Sequence, residues 1–183
     1  MRNPIYTIGH STRPIEEFVE LLRINGVERL ADIRTIPKSR RNPQYWQDAL
    51  KERLEADGID YVYLPGLGGR RRARKDSVNT AWRNASFKGY ADHMQTEEFA
   101  AALEELIRFG GEKVTAIMCA EAVPWRCHRS LVADALVVRG IEVRNIMSAT
   151  STTTHALRDW ARVDGTAITY PGDGTDAEGD TSE

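Results

Sequence analysis

Two cysteines, a glutamate, a histidine and an arginine crowd one short run, Met118-Cys119-Ala120-Glu121 followed by Cys127-His128-Arg129. Cys127 stands where a helix is expected to begin, beside Arg126, His128 and Arg129, and a helix N-terminus with nearby positive charge favours thiolate over thiol. The chemistry this suggests is nucleophilic or redox. Cys127 would be the attacking sulfur, His128 or Glu121 would carry the proton, and Arg129 would clamp an anion. A buried, inert cysteine fits the same spacing, and for Cys119, nearer the sheet interior, that reading comes first.

Other polar groups fall at comparable places. His10 and Ser11 follow the apolar run Ile5–Ile8, and Asp32 and Arg34 close a second such run. Asp32 is a further carboxylate for proton transfer, although an aspartate there often only caps backbone amides. Gly68 and Gly69 precede Arg70 and invite an anion held by backbone amides, with Arg34, Arg70 and Arg129 as its cations. They lack both the Walker lysine and the dinucleotide spacing. Cys119, Cys127, His128 and His10 match no usual zinc spacing, so no metal site is assigned and no cofactor is named.

The elements that would position these groups alternate. Strands are expected near residues 5–8, 27–33, 59–64, 114–118 and 141–147, and helices over 12–25, 46–56, 96–109 and 127–139. A short helix is expected over 156–163. The pattern argues a single α/β domain with a mostly parallel five-stranded sheet and helices on both faces, with a partial or distorted barrel as the alternative. Either architecture sends the strand ends, and the polar groups just after them, to one side of the molecule.

Composition sets the bounds. With 183 residues, 41% hydrophobic and 28% charged, the chain suits one core. Its net charge is -2, but residues 171–183 hold five acids and no base, so the rest carries +3. A domain over 1–165 and a disordered acidic tail over 166–183 are expected. No apolar run is long enough to span a bilayer and no signal-peptide core is present, which points to a cytoplasmic protein without a membrane partner. In such a reducing compartment the two cysteines are expected as thiols, pairing transiently if the fold brings them close.

Residues 70–95 have no clean period. The run Arg70-Arg71-Arg72-Ala73-Arg74-Lys75, with Trp82, Phe87 and Tyr90 nearby, would suit single-stranded nucleic acid, rings stacking on bases and arginines meeting phosphates. A solvated loop accounts for the same run.

Taken together, Ile8-Gly9-His10-Ser11, Asp32-Ile33-Arg34 with Pro37 and Ser39, Leu67-Gly68-Gly69, the stretch from Trp82 to Met94, and Met118-Cys119-Ala120-Glu121 with Cys127-His128-Arg129 resemble the bacterial and archaeal "domain of unknown function 488" family. The resemblance runs over about residues 4–148. It implies a small cytosolic α/β protein with a polar site built from these segments, and it brings no reaction with it. Two expectations follow. One is an enzyme acting on a small anionic, phosphate- or nucleotide-bearing substrate; the other is a nucleic-acid-binding module using residues 70–90.

Overall fold

A computed structural model describes residues 2–172. Five parallel strands, β1 (Ile5–Gly9), β2 (Arg29–Asp32), β3 (Asp60–Tyr63), β4 (Thr115–Cys119) and β5 (Val143–Ser148), form one sheet with the antiparallel β6 (Ser151–Thr154). The order is β3-β2-β4-β1-β5-β6. The sheet is open, so the architecture is the layered α/β form and not a closed barrel. Every residue of β1 and β4 is buried, as a strand covered on both faces requires, and this is why they read as continuous apolar runs.

The strand order decides where the helices go. The connections through α1 (Ile15–Ile24) and α2 (Gln47–Ala56) carry the chain from β1 to β2 to β3, toward one edge. The connections through α3 (Ala85–His93), α4 (Glu97–Glu112) and α5 (Arg129–Val138) carry it back through β4 to β5. Right-handed crossovers that reverse direction must place the two helix sets on opposite faces. Two separate cores show this. Phe18, Leu22, Leu50 and Leu54 pack with Tyr6, Ile8, Leu30 and Met118 on one face. Phe99, Leu103, Leu106, Leu131 and Leu136 pack with Ile5, Ala31, Ile117 and Val143 on the other. Each fully buried side chain of this kind contributes about 1.5–3 kcal/mol. Where the winding reverses, at the carboxyl ends of β1, β4 and β2, neighbouring loops leave in opposite directions and open a crevice.

The helix ends follow local chemistry. Thr96 caps α4 by accepting the Phe99 N–H, and the Asn84 side chain caps α3 by accepting from Ser86 and Phe87. Helix α1 starts after Pro14 with no side-chain cap.

Residues 156–163 do not form the expected helix. They make a turn and enter a small antiparallel pair, β7 (Arg162–Asp164) and β8 (Ala167–Thr169). The folded body also runs past residue 165. Ile168 and Tyr170 are buried, and Tyr170 donates its hydroxyl to the buried Asp134 of α5, which also accepts from His155 and Arg158. The acidic tail from 173 lies outside the described residues.

Candidate functional site

A cavity of about 550 Å³ opens at the carboxyl ends of β2 and β4, the crevice the strand order predicts. Its walls come from the loop after β2, the glycine turn after β3, the start of α3, the loop after β4 and the start of α5. The cations Arg34, Lys38, Arg40, Arg70 and Arg126 line it, against one carboxylate, Glu121. The buried Cys119 and Cys127 and the neighbouring His128 line it as well.

Arg34 is held from behind. Its Nε and Nη2 donate to the two oxygens of Asp32 at 2.9 and 2.7 Å. Asp32 is fully buried and also accepts the Tyr61 hydroxyl at 2.6 Å and the Arg34 backbone N–H. With these bonds made, Asp32 orients Arg34. His10 lies behind the same arginine. It stacks on Tyr45 with ring centroids 4.3 Å apart, donates from Nδ1 to the Ser11 carbonyl, and turns Nε2 toward Arg34 Nη1 at 3.4 Å. Burial, reinforced by the Arg34 charge, pulls the His10 pKa down to about 4, so the ring is neutral at pH 7.

His128 is locked in a similar way. Its Nε2–H donates to the Ile33 carbonyl at 2.9 Å, which leaves the Nδ1 lone pair facing Cys127 Sγ at 3.5 Å. Burial lowers its pKa to about 4, and the Arg129 and Arg71 charges add to that. A Cβ at position 69 would meet His128 Nδ1 at 2.5 Å, so only glycine lets the turn after β3 close over the imidazole. Gly9 meets the same need on the other side, where a side chain would collide with the Glu121 carbonyl.

Cys119 and Cys127 meet sulfur to sulfur as a disulfide, with α-carbons 7.3 Å apart. That span exceeds the roughly 4.4–6.8 Å of most bridges. Arg129 supports both. Its backbone N–H, at the start of α5, donates to Cys127 Sγ at 3.4 Å, and its Nη1 donates to Cys119 Sγ at 2.9 Å. The same guanidinium holds the loop after β4 through the Glu121 and Ala122 carbonyls and reaches Thr7 Oγ1. Burial lowers its pKa to about 10, which leaves it charged at pH 7.

The polar residues anticipated after the strands thus divide in two. Arg34, Gly69, Arg70, Cys119, Glu121, Cys127 and His128 line the cavity. His10, Ser11, Asp32, Gly68 and Arg129 are not among the residues that line it, and Arg129 is fully buried. Sequence reasoning did not single out Lys38 and Arg40, which the Pro-rich loop after β2 carries to the rim. Their signal was the basic character of that loop. Among the described residues no three histidines, cysteines or carboxylates group as a metal site, and no helix is long and apolar enough to cross a membrane.

The basic segment is less suited to bases than its composition suggested. Trp82, Phe87 and Tyr90 are 4%, 7% and 0% exposed, committed to the core beneath α3 and to one another. Arg71 and Arg74 are paired with Glu98 and Asp76. What the segment offers the surface is charge without stacking rings.

No curated protein and no solved structure matches this chain. Residues 14–136 match the family model described as "Domain of unknown function DUF488", which takes in the Arg34 loop, the glycine turn and both cysteines and begins just after the His10 turn. On that match across most of its length, the chain belongs to the DUF488 family.

Proposed function

We propose that this protein is a thiol-dependent enzyme acting on a small anionic, phosphate- or nucleotide-bearing substrate. The observation that carries the reading is a cavity lined by five cationic side chains, one carboxylate and two buried, adjacent cysteines. Arg40, Arg70 and Arg126 make no ion pair among the described residues, and Arg34 presents its fixed guanidinium beside them, so an entering anion finds ready donors. Glu121, exposed at the mouth, is the carboxylate placed to take up or return a proton, and neutral His128 accepts the Cys127 S–H. The cavity volume suits a ligand of nucleotide size.

The test is anion protection. Reduced protein is alkylated with iodoacetamide in the presence of ATP or pyrophosphate, and alkylation should slow severalfold as either is added. The protection should vanish when Arg70→Gln and Arg126→Gln are combined. Alkylation rates indifferent to both anions contradict the proposal. Strong retention on single-stranded DNA that survives the double variant and is lost with Arg72→Gln and Arg74→Gln would favour a nucleic-acid surface instead.

A further inference from the structure

Arg129 is a buried cation whose hydrogen-bond partners carry no carboxylate, and the Glu121 charge reaches it only from beyond contact distance. It is 0% exposed, and among the described residues it forms no ion pair. The other buried arginines are treated differently: Arg34 has Asp32, and Arg29 has Asp60 and Glu112. A guanidinium removed from water with only neutral partners is costly, and a nearby anion would offset that cost. The group at 2.9 Å from Nη1 is Cys119 Sγ, so in the reduced protein a Cys119 thiolate would supply a countercharge in direct contact. Cys127 is placed otherwise. It touches a neutral imidazole and a single backbone N–H, an environment that keeps a proton close and gives it somewhere to go. The two sulfurs are in contact in the lining of a cationic cavity.

Resting on the thiol-enzyme reading above, we propose that Cys119 and Cys127 form a two-thiol relay that reduces a small disulfide bearing anionic groups. The Cys119 thiolate attacks one sulfur of the substrate disulfide, forming a mixed disulfide and expelling the other half as a thiolate. Cys127, its S–H held toward His128 Nδ1, attacks Cys119 Sγ, closing the bridge and expelling the second half as a thiolate, which takes the Cys127 proton. The substrate gains two electrons, the enzyme dithiol loses two, and a thiol reductant reopens the bridge. The Arg40, Arg70 and Arg126 side chains select disulfides with negative flanks. Cys119, the residue whose apolar surroundings suggested an inert thiol, is the attacking one, and Cys127 resolves.

Oxidised glutathione, cystamine and 2-hydroxyethyl disulfide are anionic, cationic and neutral probes of one reaction. Each is added to fully reduced protein, rates are normalised to the unfolded chain, and products are read by peptide mass spectrometry. Wild type should end with the Cys119–Cys127 bridge and no adduct. Cys127→Ser should accumulate one glutathionyl group on Cys119, and Cys119→Ser should lose the rapid reaction. Oxidised glutathione should react about tenfold faster than cystamine, the scale of electrostatic steering into a charged cleft. Because a serine variant can misfold, alkylation of both cysteines is also compared within reduced wild type. There Cys119 should reach half its maximal rate well below pH ~8.5, the value of an ordinary thiol. An adduct that stays on wild type, or a faster Cys127, overturns the relay. Inert sulfurs with intact anion protection overturn the relay and leave the anionic-substrate reading standing. A working relay that ignores probe charge removes the cationic selection and that reading with it.

Discussion

Arg34 and Arg129 show how the same side chain, placed after neighbouring strands, takes opposite parts. Arg34 has its ion pair in Asp32 and faces the cavity; Arg129 makes no ion pair, and its guanidinium meets the Cys119 sulfur. The residue types were legible in the sequence, because polar groups at strand ends have no business in a core. Their division into cavity wall and buttress was not, since it depends on which side of each loop a side chain leaves. At this scale two of the three histidines whose pKa burial lowers make a prediction. In the unfolded chain His10 and His128 protonate near pH 6.5, and in the folded chain only near 4. Between those values the unfolded state binds more protons, so stability falls as pH drops through that window and is flat for these groups above it. Each ring contributes at most about 3 kcal/mol of this change. Urea unfolding at pH 7 and pH 5 should show a lower midpoint at pH 5, and His10→Gln should lessen the drop. Equal midpoints would contradict the buried, neutral rings.

At the scale of elements, the five parallel strands and four of the five helices could be read from apolar runs and helical spacing, because buried parallel strands and amphipathic helices write their burial into composition. Strand β6 could not. Its residues Ser151 to Thr154 are polar and exposed, and backbone pairing with β5 alone defines it. Residues 156–163 scanned as a helix, yet Trp160 is drawn onto Trp82 and Tyr170, and ring packing wins over local propensity. The segment from 70 to 84 is likewise ordered without regular structure. Asp92 of α3 pins it by accepting from the Arg74 backbone N–H, Ser77 Oγ and Asn79 Nδ2. Asp92→Ala should therefore cost about 2–3 kcal/mol in unfolding free energy and expose the arginines of this segment to trypsin. Cleavage at the wild-type rate would show that the pin is not what orders the segment.

For the whole molecule, the net charge of -2 conceals a mildly basic body, five of whose cations line the crevice formed by the reversal of strand order. Topology brings loops from distant parts of the chain to that crevice, and charge tells which ligands enter it. The arrangement predicts a reagent preference that needs no knowledge of the natural substrate. Iodoacetate and iodoacetamide attack the same sulfur and differ in charge, so their rate ratio on reduced protein, divided by the ratio on the unfolded chain, reports the field at the thiols. The account predicts a folded-state ratio about tenfold in favour of the anion, falling toward one in high salt and in the Arg70→Gln, Arg126→Gln variant. A ratio no different from that of the unfolded chain would contradict it.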